Sequence, residues 1–334
     1  MKIAVVGLGA VGGLIAARLA AAGFEVCALA RGPTLAAVRA HGLRLVLGGE
    51  QRVVRIVASD DAQALGTQDL VIVALKGPAL AAAAASLQPM LGPQTIVMPA
   101  MNGVPWWFLD AAPADAALGD RRLASIDPDG RIAAALPIGR VLGCVVHLTC
   151  SSPEPGLIRH GFGDRLIVGE PGGSPSGRAS ARVDAVCAAL AGAGFQAEAS
   201  AAIRQALWYK LWGNMTMNPV SALTGAESHH IIDDPLVLAY MLATMEEARH
   251  IGARIGCTTG QSGEERMAIA RELGAFKTSM LQDCLAGRPL ELDALVGAVH
   301  EIGTRLGLAM PNIGALLGLT RLMARERGLY PPAP

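Results

Sequence analysis

The sequence is poor in charge and in aromatic residues, and these shortages exclude several classes of protein. Charged residues make up 17% of the 334 positions and aromatic residues 4%, while lysine plus arginine equals aspartate plus glutamate at 28 each. The formal net charge of zero disfavours nucleic acid or an anionic membrane surface as the main partner. Because 52% of the residues are hydrophobic, the chain is not disordered, and its length predicts about two domains.

Cysteine pairs and long apolar runs are also missing. The six cysteines form no C-x-x-C pair and no dense cluster with histidine, which predicts reduced thiols, no metal site and a cytoplasmic protein. The apolar run after Lys2 is interrupted by glycines and by Arg18, unlike a signal peptide. Prolines, glycines and amides break the uncharged stretch 77–109, so we expect no membrane-spanning helix.

Strand-like and helix-like segments alternate in the first part of the chain. Strand patterns at residues 3–6, 25–30, 69–75 and 95–99 alternate with helical patterns at 10–22, 33–41 and 78–87. This alternation is typical of a parallel, doubly wound sheet. The remaining predicted elements are strands at 43–47, 52–58, 140–150, 165–168 and 195–199, a helix at 181–191, a surface excursion at 116–138 and a loop at 170–180.

Helical periodicity replaces this pattern after about residue 201. Apolar residues recur with helical spacing, as at Leu292, Leu295, Val299 and Ile302. We therefore predict a Rossmann-type α/β domain over residues 1–201 and a mainly α-helical domain over residues 202–334. The long amphipathic helices of the second domain are also suited to a homodimer.

A glycine-rich turn follows the first predicted strand. The segment Gly7-Leu8-Gly9-Ala10-Val11-Gly12 has the G-x-G-x-x-G pattern at the junction of a strand and a helix. In that position the glycines permit a tight turn, a close approach of a pyrophosphate and close packing of helix on strand. The alternative is a turn without a ligand, and the placement favours a dinucleotide site.

Residues that follow the next strands refine this prediction. Arg31 follows the second strand, where NAD-binding domains usually place an acid; an arginine there suits a 2′-phosphate and predicts NADPH as the cofactor. Lys76 and Asn102 follow two further strands, at the edge where such sheets bind ligands. Each has a plain alternative: a solvated cation at a helix entry, a surface lysine, and an ordinary Asn-Gly turn.

Three polar residues are spaced four apart on a predicted helix of the second domain. Lys210, Asn214 and Asn218 lie beside a broad apolar face that includes Trp208 and Trp212. A cation and two amides are costly to bury without partners, which a cleft against the first domain would provide. A partly desolvated lysine has a lowered pKa and can protonate a developing alkoxide. The alternative is the solvated edge of an amphipathic helix.

Ser279 and Glu291 lie in the next polar segments. Ser279 belongs to a predicted helix that ends near Gly287, and a new helix is predicted to start around Pro289 with Glu291 in its first turn. Proline and acids are ordinary at a helix start, so the residues alone favour a structural role for Glu291.

These segments together resemble the ketopantoate reductase family, also called 2-dehydropantoate 2-reductases, over nearly the whole length. The landmarks are GLGAVGG, Arg31, VALK at Lys76, MNG at Asn102, LWYKLWGNMTMNPVSAL, TSMLQD and GRPLELD. The resemblance implies a Rossmann-type doubly wound sheet followed by a helical domain like the C-terminal domain of 6-phosphogluconate dehydrogenase. It implies NADPH-dependent reduction of 2-dehydropantoate to pantoate, a step towards coenzyme A.

The resemblance also implies a role for each site residue. Lys210 would be the general acid that protonates the 2-oxo oxygen, and Glu291 would lie near this lysine and the substrate hydroxyl. The residues implied to bind the 2-oxo acid are Asn102, Asn214, Asn218 and Ser279. The residues implied to bind the cofactor are Gly7, Leu8, Gly9, Ala10, Val11, Gly12, Arg31, Lys76 and Asn102.

Two features depart from the simplest family members. Trp106 and Trp107 follow Asn102-Gly103, and the segment 110–138 is longer than typical. The indoles would either shape a pocket for a different 2-oxo acid or pack beneath a loop. The alternatives are therefore a reductase of another 2-oxo acid in a paralogous branch and an NADP(H)-binding regulatory protein without turnover. Lys210 with Glu291 opposes the last, because a sensor needs no general acid.

Overall fold

The computed structural model describes residues 1–113, 115–174 and 176–332. The chain forms two compact units: unit 1 is Met1–Met101 with Asp129–Ala206, and unit 2 is Asn102–Pro128 with Leu207–Pro334. Ala114 and Pro175, which fall in the predicted excursion and loop, lie outside the described residues, as do Ala333 and Pro334. A domain boundary after residue 201 stays a prediction.

Unit 1 is built on a five-stranded parallel sheet. Its strands in chain order are β1 (Lys2–Val6), β2 (Glu25–Leu29), β3 (Leu43–Leu47), β4 (Glu50–Val54), β5 (Val57–Ser59), β6 (Gln68–Val73), β7 (Leu91–Pro99), β8 (Gly143–His147), β9 (Cys150–Glu154), β10 (Leu157–His160), β11 (Arg165–Gly169) and β12 (Gln196–Ser200). The central order is β5-β2-β1-β6-β7, with all pairs parallel. Two mixed sheets, β4-β3-β10-β9 and β12-β11-β8, complete the unit.

The helices of unit 1 pack against its sheets and keep the central strands buried. They are α1 (Ala10–Ala21), α2 (Gly32–His41), α3 (Ala62–Leu65), α4 (Gly77–Ala83), α5 (Arg131–Ala135) and α6 (Ala181–Gly192), with short 3-10 helices at Ala84–Met90 and Ile138–Arg140. Ile3, Val5, Leu70 and Ile72 of the two central strands are fully buried. In a strand that is covered on both faces, apolar residues do not alternate with polar ones, because no side chain faces water.

Three predictions for this part of the chain are wrong. The single strand predicted at 52–58 is two strands, because β4 folds back on β3 as a hairpin whereas β5 joins the central sheet beside β2. The strand predicted at 140–150 is likewise divided between β8 and β9, which belong to different sheets. The segment 116–138 is not a purely surface excursion, since Leu123, Asp127 and Leu136 are buried.

Unit 2 is helical, and the predicted fold class is confirmed. Its helices are α7 (Ile203–Thr224), α8 (Ser228–Asp233), α9 (Pro235–Arg254), α10 (Gly263–Glu272), α11 (Ser279–Leu285), α12 (Ala298–Arg305) and α13 (Pro311–Glu326), with a 3-10 helix at Ala116–Leu118. Helix α7 begins within unit 1 and runs into unit 2. Among the described residues, no helix is both long enough and apolar enough to cross a membrane.

A π-helix, Asp293–Gly297, leads directly into α12. The prediction that a helix starts around Pro289 is therefore wrong, because residues 288–291 are not helical. Proline lacks an amide hydrogen, and the next amide, that of Leu290, donates to the carbonyl oxygen of Leu329 at 2.9 Å rather than to the helix. Glu291 thus stands just before the π-helix and not in a first helical turn.

Candidate active site

The three glycines of the G-x-G-x-x-G turn differ in their backbone conformation and in the space around them. Gly7 has a φ of +90°, and Gly12 lies so close to Gly7 that a Cβ there would be 2.0 Å from its carbonyl oxygen. Gly9, in contrast, has nothing within 4 Å of the position of a Cβ. Packing therefore excludes a side chain at Gly12, whereas the space over Gly9 is open for a ligand to approach the backbone.

The turn leads into a helix end that suits an anion. Gly9 is the N-cap of α1, with no side-chain cap and no acidic residue in the first turn, and the amide of Gly13 donates to the carbonyl oxygen of Gly9 at 2.8 Å. The amides of Ala10, Val11 and Gly12 belong to the first turn, where amides have no acceptor within the helix. Such an end carries partial positive charge and fits a pyrophosphate.

Two cations follow the strands on either side of β1. Arg31 is the N-cap residue of α2 just beyond β2 and is exposed, and Lys76 is the N-cap residue of α4 just beyond β6 and is partly buried. Since β2, β1 and β6 are neighbours in a parallel sheet, these residues and the glycine turn follow the same carboxyl edge. The residues 30–33 that follow β2 contain no acid, so the edge fits a dinucleotide that carries an additional phosphate.

Helix α7 of unit 2 buries the predicted apolar face. Leu211 and Met215 are buried, and so are the two indoles of Trp208 and Trp212. The indole N–H of Trp212 donates to the carbonyl oxygen of Met245 on α9 at 2.7 Å, and the ring of Trp208 stacks on that of Phe108 with 6.0 Å between centroids. These two contacts hold α7 in place two residues before Lys210 and two residues after it.

Lys210 meets a residue far away in the sequence. Its Nζ donates to Oδ1 of Asn102 at 2.8 Å. Asn214 and Asn218 follow on the same face of α7, one and two turns further on; Asn214 is partly buried and Asn218 is 5% exposed. The structure thus places an ammonium group and three amide side chains in one part of unit 2.

The turn that carries Asn102 rests on the π-helix beside Glu291. Gly103 has a φ of +84°, and a Cβ at this residue would lie 2.5 Å from the carbonyl oxygen of Ala294. The amide of Val104 donates to that same oxygen at 2.8 Å. The Asn102-Gly103 pair therefore forms a turn, which is what the plain alternative predicts. This turn also fixes Asn102 against the segment after Glu291.

Two residues near Glu291 were not predicted from the sequence. The hydroxyl of Tyr330 donates to Oδ1 of Asp293, whose pKa is raised because burial disfavours the charged carboxylate. Burial and the nearby carboxylate raise the pKa of Tyr330 to about 12. No local sequence signal marks this pair, since its members are 37 positions apart.

The remaining predicted positions lie elsewhere in unit 2. Ser279 is the exposed first residue of α11, directly after its N-cap Thr278. Trp106 and Trp107 are 3% and 0% exposed, and the ring of Trp107 lies 6.4 Å from that of Phe108. Both indoles therefore pack inside the unit, and their predicted effect on the choice of 2-oxo acid stays a prediction. Among the described residues no cluster of histidine, cysteine, aspartate or glutamate could hold a metal ion.

Comparison with known proteins decides the family. The family described as "Ketopantoate reductase PanE/ApbA" matches residues 3–173, and its C-terminal counterpart matches residues 202–324. The chain belongs to the ketopantoate reductase family. A 2-dehydropantoate 2-reductase of Mesorhizobium japonicum is 42% identical over 331 residues, covering 99% of this chain and all of the relative. The resemblance inferred from the sequence is thereby confirmed, and the chain is an oxidoreductase of this family.

Solved structures agree with the ketopantoate reductase fold. A protein of Ralstonia solanacearum MolK2, provisionally assigned as a ketopantoate reductase, is 56% identical and superposes with a TM-score of 0.93 over 98% of this chain and 99% of its own. A D-mandelate dehydrogenase with NADH and anilino(oxo)acetate has a TM-score of 0.84 at 19% identity, over 98% of this chain and all of its own. At that identity the likeness concerns the fold alone.

Proposed function

We propose that this ketopantoate reductase family member reduces 2-dehydropantoate to pantoate with NADPH, and that Lys210 is the general acid. The observation that carries the proposal is the hydrogen bond from the ammonium of Lys210 to Asn102, on a helix face continued by Asn214 and Asn218. A general acid needs a fixed direction towards the atom it protonates. The amide oxygen of Asn102 supplies that direction.

Unit 1 would hold the cofactor. The open backbone at Gly9 and the first turn of α1 fit the pyrophosphate, and Arg31 fits the 2′-phosphate that distinguishes NADPH from NADH. Lys76, partly buried beyond β6, would contribute a second positive charge at the same edge. When bound, NADPH supplies the hydride for the 2-oxo carbon.

Unit 2 would bind the 2-oxo acid and supply the proton for its reduction. Lys210 would carry the proton at Nζ and deliver it to the 2-oxo oxygen as negative charge develops there. Asn102, Asn214 and Asn218 would hold the substrate by their amides, and Ser279 would meet its carboxylate. Glu291 would accept a hydrogen bond from the substrate hydroxyl. Simpler 2-oxo acids lack this hydroxyl group, and 2-dehydropantoate has it.

The experiment that tests this proposal is the initial rate of NADPH oxidation with 2-dehydropantoate and with a panel of aliphatic and aromatic 2-oxo acids. We expect 2-dehydropantoate to have the highest kcat/KM. We expect Lys210→Ala to lower kcat by about 10² to 10⁴, the usual contribution of a general acid. Lys2→Ala is the control, because Lys2 is exposed at the amino end of β1, at the opposite edge of the sheet from the glycine turn.

Other outcomes would change different parts of the proposal. A higher kcat/KM with an aromatic 2-oxo acid would overturn the substrate and keep the chemistry. Full activity of Lys210→Ala would overturn the role of the lysine. Binding of NADPH without turnover of any 2-oxo acid would favour a regulatory protein over an enzyme.

A further inference from the structure

The segment after α13 returns to the backbone next to Glu291. Two contacts make this connection: the carbonyl oxygen of Leu329 accepts from the amide of Leu290, and the hydroxyl of Tyr330 donates to Asp293. We call this arrangement, Leu329 and Tyr330 with Leu290 and Asp293, the Tyr330 latch. It contacts the chain on both sides of Glu291, one residue before it and two residues after it.

The latch is itself held by α13. The amide of Leu329 donates to the carbonyl oxygen of Ala324 at 2.7 Å, and Leu329 is 4% exposed. The guanidinium of Arg325 lies 5.6 Å from the centre of the Tyr330 ring. Two successive residues are therefore fixed by the end of one long helix before they contact the segment around Glu291.

On its other side the latch reaches the turn of Asn102. Asp293 is the first residue of the π-helix, and the next residue, Ala294, accepts from the amide of Val104 at 2.8 Å. Asn102, two residues before Val104, accepts from Lys210. The chain of contacts thus runs from Tyr330 through Asp293 and the adjacent Ala294 to the turn that orients the ammonium.

The π-helix Asp293–Gly297 is the element that these contacts stabilise. A π-helical turn is rare and occurs frequently at functional sites. Here the amide of Ala298 donates to the carbonyl oxygen of Asp293, five residues earlier. A turn of this kind keeps its shape where contacts outside the helix hold it, and the described contacts at its start come from Tyr330 and Val104.

We propose that Tyr330 and Asp293 are positioning residues, which set the backbone of Glu291 and the turn of Asn102 so that both reach the substrate. This proposal rests on the proposed function, since it assigns the latch to the 2-oxo acid site of unit 2. Neither side chain is assigned a contact with substrate or cofactor. Tyr330 acts as an uncharged donor, because burial and the adjacent carboxylate of Asp293 raise its pKa to about 12.

The first test compares Tyr330→Phe with Tyr240→Phe. Tyr240 is a matched control in the same unit, because its hydroxyl also donates across helices, to the carbonyl oxygen of Asn312 at 2.8 Å. We expect Tyr330→Phe to lower kcat/KM for the 2-oxo acid about tenfold, as loss of one well-placed hydrogen bond would, with KM for NADPH unchanged. We expect Tyr240→Phe to leave both constants close to wild type. Equal losses in the two variants would overturn the proposal.

The second test separates positioning from folding. Asp293→Asn keeps an oxygen acceptor for the Tyr330 hydroxyl, whereas Asp293→Ala removes it. We expect the asparagine variant to retain activity and the alanine variant to match Tyr330→Phe. In the background of Glu291→Gln, Tyr330→Phe should cost much less than it does alone, because residues that act as a unit are not additive. Fully additive losses would show that the latch does not act through Glu291.

A third measurement does not depend on turnover. Hydrogen exchange of the amides in residues 290–297 is expected to be faster in Tyr330→Phe than in wild type and in Tyr240→Phe. If the wild-type enzyme reduced none of the 2-oxo acids, the proposed function would fail while this readout still tested the latch. Unchanged exchange in Tyr330→Phe would overturn the latch even with an active enzyme.

Discussion

The ammonium of Lys210 lies 2.8 Å from the amide oxygen of Asn102, although the two residues are 108 positions apart in the chain. Asn102→Asp would replace this neutral acceptor by a carboxylate, which favours the charged form of a neighbouring lysine. Reduction requires the charged lysine, so we expect the basic limb of the pH profile of kcat/KM to move to higher pH by about one unit. Asn102→Ala, measured in parallel, should lower kcat without that displacement. A profile that stays in place in Asn102→Asp would contradict the assignment of Lys210 as the acid.

The glycine turn allows binding and packing to be tested separately. A Cβ at Gly9 meets no atom within 4 Å. We expect Gly9→Ala to cost no more than about 1 kcal/mol of stability, the scale of a changed N-cap, while NADPH binding weakens at least about tenfold. A Cβ at Gly12 would lie 2.0 Å from the carbonyl oxygen of Gly7, so Gly12→Ala should lower stability by more than about 1–3 kcal/mol. Thermal unfolding and titration with NADPH check both; a destabilised Gly9→Ala with normal binding would refute the pyrophosphate site.

Cofactor preference should depend on Arg31. A charge-assisted hydrogen bond contributes roughly 1.5–3 kcal/mol, so Arg31→Ala should lower the preference for NADPH over NADH by about 10- to 100-fold. The effect should fall on KM for NADPH, with little change for NADH. Arg39→Ala is the control on the same helix, since Arg39 is exposed and lies 3.8 Å from Asp60. An unchanged preference in Arg31→Ala would argue against a 2′-phosphate at this position.

Acid should weaken unit 1 through Glu170. The hydrogen bond from Arg182 is the largest influence and, with that from Ser180, holds the pKa of Glu170 below its usual value of 4.5. A carboxylate with a lowered pKa stabilises the folded state above pH 4.5, and this contribution is lost as the pH falls through the lowered value. We therefore expect Glu170→Gln to lower Tm at neutral pH and the difference from wild type to shrink below pH 4.5. The exposed Glu272→Gln should show no such convergence, and a pH-independent difference for Glu170→Gln would exclude this ion pair as the cause.

Gly252 of α9 is expected to accept no side chain. A Cβ there would lie 2.3 Å from Nε1 of Trp208, two residues before Lys210. Gly252→Ala should therefore destabilise the protein by about 1–3 kcal/mol through overpacking, despite the better helix propensity of alanine. Gly318→Ala on α13 is the control, because a Cβ at Gly318 meets nothing within 4 Å and should raise stability slightly. Thermal unfolding of the two variants checks the sign in each case.

The parts of the fold that neighbouring residues determine could be predicted from the sequence. The turn Gly7–Gly12, the buried runs of β1 and β6 and the apolar face of α7 each have a local pattern, and the structure contains all of them. The boundary between β4 and β5 has no such pattern. Whether residues 52–58 pair as one strand or two depends on β3 and β2, which present separate edges to them.

The candidate site divides in the same way. The spacing of Lys210, Asn214 and Asn218 indicated a shared face, because four residues make about one helical turn. The hydrogen bond from Lys210 to Asn102, the contact of Val104 with Ala294 and the Tyr330 latch join residues that are distant in the sequence. The π-helix Asp293–Gly297 is also too short, at five residues, to show an apolar period of its own, so the pattern at 289–297 predicts an ordinary helix start.

The division of unit 2 into two stretches of chain has a consequence for biosynthesis. Residues Asn102–Pro128 leave the ribosome long before Leu207–Pro334, yet they belong to the same compact unit. Trp106, Trp107 and Phe108 are all buried in the folded protein. They lack the rest of unit 2 to pack against while about eighty further residues of unit 1 are translated. During this interval a cluster of large aromatic side chains is exposed, and exposed apolar surface of this kind makes a nascent chain prone to aggregation. A gene fragment that starts at residue 207 would encode every helix from α8 onward and still lack part of its own core.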